Sequence, residues 1–463
     1  MNATRTALAL ILQELQSITA RLEAQKPFAM QMPMVTAAAV SDPAQAAIES
    51  HMLEARNKLR RIIRRFTQKL ERLPPSVANV RWAQHRLSLV KLQFQSVLAR
   101  FEIFAEVLSQ RAQHETGLWL AGLDVAAAAA LHLPHRPLLV PPVVCYVDRS
   151  FGGAIRRAHT PLPGGALNPV AIVRMPRERM VGTGIAASLF HEVGHQAAAA
   201  LGLVQSLRDA LHTPIRALAT ADPRQAWAWR CWQSWVSEWV ADLWAVAQAG
   251  VTASVGLIGV VSLPSVFVYR YTPQDPHPAP WIRVMLSLAL GEALYPDPQW
   301  HSLRQAWGQM YPRSGMTPLQ QRQFQTLEHS LRPFVHWLLR LRLPALQYRP
   351  LGQALRWRSR TPTALRCQGR ELGSAPLEQL RMRNLDILLS LQPAHALAVL
   401  GQARHDGRLA AHSEFQLTSE LLSRWAMEDY LPRIGSRAHL DAVALTDIAL
   451  TDRNPAAVAV SMH

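Results

Sequence analysis

Between Arg179 and Arg208 only one charged side chain occurs, Glu192, and it stands inside His191-Glu192-Val193-Gly194-His195. Ile185, Ala186, Ala187, Leu189 and Phe190 precede this motif, and Ala197 to Leu201 follow it. A stretch so rich in alanine and apolar side chains suits a buried helix. On a helix, two histidines four residues apart project from one face, one turn above the other. Gly194 inside such a helix costs roughly 1 kcal/mol relative to alanine. Its presence predicts that another backbone approaches there.

Two imidazoles so placed can bind one zinc ion, with the intervening glutamate beside an open coordination position. Zinc lowers the pKa of water towards about 7, and a neighbouring carboxylate can take the proton as water attacks a carbonyl. A hydrolytic zinc site needs a third protein ligand. The extended pattern HExxHxxGxxH is excluded, because Ala198 and Leu201 occupy its glycine and histidine positions. The alternative is a glutamate on a later helix, and Ser237-Glu238-Trp239-Val240-Ala241-Asp242 supplies one, 43 residues after His195. Glu238 and Asp242 share a helix face at i and i+4. Glu238 is thus the expected ligand, while Asp242 would accept the free N–H of a ligand histidine and fix its tautomer. The surrounding Trp227, Trp229, Trp232, Trp235, Trp239 and Trp244 read as core packing on one helix.

HExxH followed by Glu238, Ala241 and Asp242 resembles the gluzincin metallopeptidases, most closely the CAAX-prenyl-endopeptidase and heat-shock-protease-like branch with its soluble bacterial relatives. His277-Pro278-Ala279-Pro280-Trp281-Ile282-Arg283 is similar to the H-P-x-P-x-x-R segment of that branch. The resemblance covers roughly residues 180 to 290. It implies zinc-dependent hydrolysis of a protein or peptide substrate, with His191, His195 and Glu238 as ligands and Glu192 as general base and proton donor. It also implies that His277 and Arg283 lie near the substrate or the transition-state oxygen, or hold the site together. Ser237 departs from the pattern, since such families often carry asparagine there. The resemblance further implies a small sheet before the active helix whose edge strand pairs with extended substrate.

Apolar residues make up 49% of the 463 and charged residues 17%, which describes a globular chain with a large core. The net charge of +17 comes almost wholly from arginine, because the only lysines are Lys26, Lys58, Lys69 and Lys91. That arginine-over-lysine bias looks like the coding habit of a GC-rich bacterial genome, which weakens the charge as an argument for nucleic acid. Cys145, Cys231 and Cys367 form no CxxC pair and read as buried free thiols in a reducing, cytoplasmic compartment. No secretory signal is apparent, because the apolar run Ala7 to Leu12 is short and meets Gln13 and Glu14. Leu243 to Tyr269 carries no charge, and Val251 to Tyr269 is long enough to span a bilayer. Its polar interruptions and its position between Glu238 and His277 favour a buried helix or helix pair.

The expected fold is mainly α with a small β-sheet: a zincin-like catalytic core at 133–295, between an N-terminal helical region at 1–132 and a C-terminal one at 296–463. An amphipathic helix over residues 1 to 25 and a loose connector from Phe28 to Pro43 precede a helical hairpin. The first hairpin helix carries an apolar stripe of Ile48, Met52, Leu59, Ile62, Ile63, Phe66 and Leu70 and stops at Pro74-Pro75. The second runs from Ser76 to Gln113. Opposite the stripe stand Arg56, Lys58, Arg60, Arg61, Arg64, Arg65, Lys69 and Arg72. That face could bind nucleic acid, but a solvated helix face is the default reading, and nucleic acid is not the expected partner. Leu118 to Leu131 predicts a further helix, Val143 to Val147 and Val170 to Arg174 predict strands, and a helix is expected from Arg283 through Leu290. The last third is expected to be helical with breaks at Pro318, Pro333, Pro344, Pro350 and Pro376, and to fray from Asn454 onward. Two other functions are open at this point: a non-catalytic helical interaction protein with a vestigial or structural zinc site, and a membrane-embedded protease.

Overall fold

A computed structural model describes residues 3–32, 34, 36–149, 152–179, 181–373 and 384–451. The chain is mainly helical, with one small three-stranded sheet and a two-residue ladder pairing His132 with Pro137 and Leu133 with Arg136. Helices α1 (Ala3–Ala24), α2 (Asp42–Leu70) and α3 (Val77–Ser109) pack on one another, so α1 turns the expected hairpin into a three-helix bundle. Ser41 caps α2 by accepting from the Ala44 N–H, and Ser76 caps α3 by accepting from the Asn79 N–H. Each satisfies an amide that the first turn leaves open. Ile48, Met52, Leu59, Ile63, Phe66 and Leu70 are buried in this bundle, as their spacing predicted, and Ile62 is partly buried.

Past α3, the fully buried Arg111 joins the bundle to the sheet. Its Nη2 donates to the Cys145 carbonyl at 2.7 Å and pairs with Asp124 at 3.0 Å. Asp124, on α4 (His114–Ala130), accepts in turn from the Cys145 N–H. Strands β1 (Val143–Asp148), β2 (Ala154–Arg156) and β3 (Ala171–Pro176) lie in the order β1-β3-β2. β1 and β3 are parallel, with Val143 opposite Ala171, and β2 is antiparallel to β3, with Ala154 opposite Arg174. The period-two rule then sorts the side chains. Val144 and Ile172 enter the bundle core, whereas Val143, Cys145, Val173 and Met175 enter the main helical core.

The main core is built around α5 (Gly184–Ala200), α8 (Val236–Ala249), α9 (Val251–Val261) and α10 (Pro280–Leu294). Helices α6 (Leu203–Ala221) and α7 (Pro223–Ser234) connect α5 to α8. The tryptophan-rich segment is thus two helices rather than one, broken at Trp235. The break is held by indole bonds, one across it from Trp239 Nε1 to the Trp232 carbonyl and one long-range from Trp235 Nε1 to that of Asp275. The packing role of Trp229, Trp232, Trp235, Trp239 and Trp244 stands, since all five are buried.

The uncharged stretch 243–269 divides among the end of α8, a turn at Gly250 with φ of 58°, α9 and the short helix Ser265–Val268. No described helix is long and apolar enough to cross a membrane.

After α11 (Gln299–Met310), α12 (Pro318–Arg340) runs straight through Pro333, so that proline does not break the chain. Phe324, Leu327, Leu331, Phe334, Val335 and Leu338 bury one continuous face on both sides of it, and this packing outweighs the lost N–H bond. Pro318 opens α12, while Pro344 and Pro350 stand at the starts of short turns, as expected. Pro376 and the segment from Asn454 lie outside the described residues. α13 (Pro393–His405) packs on α9, and α14 (Ala411–Thr451) returns to α4. Cys145 and Cys231 are buried free thiols, but Cys367 is exposed, in the last turn of the helix Pro362–Gln368.

Candidate metal centre

The helix α5 carries His191, Glu192 and His195, and α8 carries Glu238 and Asp242. The two helices touch where side chains are smallest. A Cβ added at Gly194 would lie 2.9 Å from both the Cα and the carbonyl oxygen of Ala241, and 3.0 Å from Trp244 Cβ. The approach predicted at Gly194 is thus the contact that brings the two parts of the site together.

The three expected ligands converge. His191 Nε2 and His195 Nε2 are 3.2 Å apart, His191 Nε2 is 3.5 Å from Glu238 Oε2, and His195 Nε2 is 3.6 Å from Glu238 Oε1. Bonds of about 2.0–2.2 Å at tetrahedral angles put donor atoms roughly 3.3–3.5 Å apart. Two imidazole nitrogens and a carboxylate at this spacing fit a zinc ion in both donor type and reach. Among the described residues these three form the one group of histidine, cysteine or acid side chains so disposed.

Asp242 stands behind the ligands as expected. It accepts from His191 Nδ1 at 2.8 Å, which leaves Nε2 as the nitrogen facing Glu238. Arg283, on α10, donates from Nε and Nη2 to the two oxygens of Asp242 at 2.8 and 2.9 Å, and its Nη2 lies 3.7 Å from Glu238 Oε2. His277 is half-exposed at the mouth of the site. Its Nε2 is 3.6 Å from Glu238 Oε2, and Asp275 holds its Nδ1 at 2.9 Å. Ser237, where the resembled pattern often has asparagine, places its Oγ 3.3 Å from His195 Nδ1 and so orients the second imidazole.

Burial and neighbouring charges compete at each group of this cluster. Burial raises the Glu238 and Asp242 carboxyls, but the His191 hydrogen bond and the Arg283 guanidinium outweigh it and hold both well below the usual range. Burial draws the His191 imidazolium down, yet Asp242 overcomes it and the net shift is upward. His195 moves down, through burial and the neighbouring His191. Glu192 is raised by burial, partly offset by His191. An upward shift makes the Glu192 carboxylate a stronger base than an ordinary one.

A cleft of about 150 Å³ opens beside the ligands. Glu192, His277, Gly152 and Gly153 line it, together with the apolar Ala253, Leu257 and Val260 of α9. A Cβ at Gly153 would lie 2.9 Å from Glu192 Oε1, so the bare backbone entering β2 passes directly over that carboxylate. Gln196 Oε1 accepts from the Ala158 N–H and ties the segment that leaves β2 to α5.

Two contacts escaped sequence reasoning. Gln196 follows the motif directly, and its amide on a buried helix face was a usable signal. Glu414 had none: it lies 231 residues from Thr183, whose backbone N–H it accepts at 2.6 Å and whose hydroxyl it also accepts, at the start of α5. Arg404 pairs with Glu414 at 3.1 Å.

No protein-family model matches this chain, and neither the curated proteins nor the solved structures include a match.

Proposed function

We propose that the chain is a zinc-dependent peptidase of the gluzincin kind, with His191, His195 and Glu238 holding the ion. The observation that carries this reading is the triangle of donor groups: the imidazole Nε2 atoms lie 3.2 Å apart, and the Glu238 carboxylate meets His191 through Oε2 at 3.5 Å and His195 through Oε1 at 3.6 Å, with Glu192 beside them in the same cleft. Zinc, when bound, supplies a Lewis acid that activates water and polarises the scissile carbonyl.

The chain's own residues supply the rest. Glu192 takes a proton from the attacking water at its carboxylate and delivers it to the departing amine nitrogen, for which its buried, raised carboxyl is suited. Asp242 holds the His191 ring in one tautomer, and Arg283 holds Asp242. His277 Nε2, at the mouth, is placed to donate to the developing oxyanion. Among the described residues β2 is an edge strand of the small sheet, and its outer side gives an extended peptide a backbone to pair with. Three free thiols support a reducing, cytoplasmic setting.

The test is cleavage of casein by the purified chain. Expected are hydrolysis that chelator removes and zinc restores, and a Glu192→Gln variant that keeps zinc but loses at least about a hundredfold in rate. Undiminished turnover in that variant would end the mechanism. Bound zinc without any hydrolysis would favour the non-catalytic reading.

A further inference from the structure

We infer that the exposed basic face of α2 is a docking surface for the phosphate backbone of a nucleic acid. The charge is concentrated rather than spread. Residues 54–91 hold eleven arginines and lysines against two glutamates, a net +9 of the +17 carried by the whole chain. Three of the four lysines fall in this same segment, Lys58, Lys69 and Lys91. A genome-wide preference for arginine does not produce that clustering.

The structure separates the cations with internal work from those without. Arg56 donates to the Gln25 carbonyl, Arg60 reaches Glu23 at 3.6 Å, and Lys91 reaches Glu14 at 3.4 Å. Lys69 lies over the Trp82 ring at 4.3 Å. By contrast Lys58, Arg61, Arg64, Arg65, Arg72 and Arg81 are exposed and none is in an ion pair among the described residues, Arg61 having only a long 3.4 Å bond from Nε to the Asn57 carbonyl of its own helix. Lys58, Arg61, Arg65 and Lys69 follow one side of α2 at helical spacing, a row about 16 Å long at 1.5 Å per residue. Such a row has the reach to meet several successive phosphates, and each neutralised phosphate releases a counterion.

The partner is a nucleic acid rather than a bilayer because of what α2 does with its other face. A helix that lies in a membrane interface needs a free apolar face beside its basic one. In α2 that face, from Ile48 through Leu59 and Phe66 to Leu70, is consumed in the three-helix bundle. No large hydrophobic side chain is exposed between Leu53 and Val77. With only phosphate contacts and no base-reading element, binding is expected to be insensitive to sequence. Sequence alone made solvation the default for this face; its exposed cations without ion pairs among the described residues and its spent apolar side revise that.

The experiment uses the full chain, with a fluorescent DNA duplex, a single-stranded RNA, and vesicles of phosphatidylserine and phosphatidylcholine. Expected is binding to at least one nucleic acid that weakens steeply with salt. Lys58→Glu, Arg61→Glu and Arg65→Glu combined should lose at least about tenfold in affinity and lower the log–log salt slope by about 2–3. The corresponding triple Gln variant should shift the same way by less. Charge reversal of the exposed Arg322 and Arg332 on α12 should leave affinity within about twofold, since they lie outside the row. Absence of binding to either nucleic acid at low salt overturns the inference, as do affinity unmoved by the triple substitution and tighter adsorption to the vesicles than to either polymer. None of these outcomes depends on whether the metal site is active.

Discussion

Gly194 meets Ala241 across the contact between α5 and α8 with no space for another carbon: the nearest backbone atoms would lie 2.9 Å from a Cβ at position 194. This contact sets the separation between the histidine pair and Glu238. It also explains why a glycine is kept inside a buried helix against its propensity, and why the facing residue on α8, between Glu238 and Trp244, is an alanine.

Gly194→Ala is therefore expected to force the two helices apart. Overpacking of this kind costs about 1–3 kcal/mol, and zinc affinity should fall with it, since the donor triangle widens. Chemical denaturation and metal titration of the variant check both effects. Unchanged stability with unchanged affinity would show that the contact has slack.

Asp242→Ala should leave the three ligands in place but release the His191 ring. Loss of such a hydrogen-bonded carboxylate typically weakens metal binding about 10–100-fold. The variant also leaves Arg283 without its bidentate partner, so Asp242→Asn is the milder comparison. Competition with a chromophoric chelator measures both.

Glu414→Ala removes the acceptor for the Thr183 N–H and hydroxyl at the start of α5. A lost cap costs about 1 kcal/mol, and the carboxylate also sits at the positive end of the helix. A lowered melting temperature is expected with the zinc ligands intact. An unaltered melting curve would mean that water replaces the cap at no cost.

Away from the metal site, His395 contributes to the pH dependence of stability. Burial, with Arg360 nearby, lowers the His395 pKa to about 4 from an ordinary 6.5. The folded state thus keeps this imidazole neutral while the unfolded state takes up a proton. Its contribution is present above pH 6.5 and is lost as pH falls towards 4, by at most about 3 kcal/mol. His395→Gln should flatten the fall in unfolding free energy between about pH 7 and 4, and an identical slope in the variant would contradict this.

The candidate site was legible because its parts are local. HExxH and the Glu238–Asp242 pair each need only one helix and a spacing of four residues. The order β1-β3-β2 was not legible, because β2 is three residues long and exists only through its pairing with β3. The break at Trp235 was hidden for a related reason: indole N–H groups of Trp235 and Trp239 find carbonyls that no local pattern announces. Pro333 misled in the opposite direction, since a continuous buried face on α12 overrides a residue that usually ends a helix.

Elemental analysis of the chain purified without added metal, followed by equilibration with equimolar zinc, puts the donor triangle to its plainest test. About one zinc per chain is expected, held through dialysis, and lost in both His191→Ala and Glu238→Ala, because a site with three protein ligands fails when one is removed. A wild-type chain that neither carries zinc nor retains it, or a Glu238→Ala variant that binds as tightly as the wild type, would contradict the assignment of these three ligands.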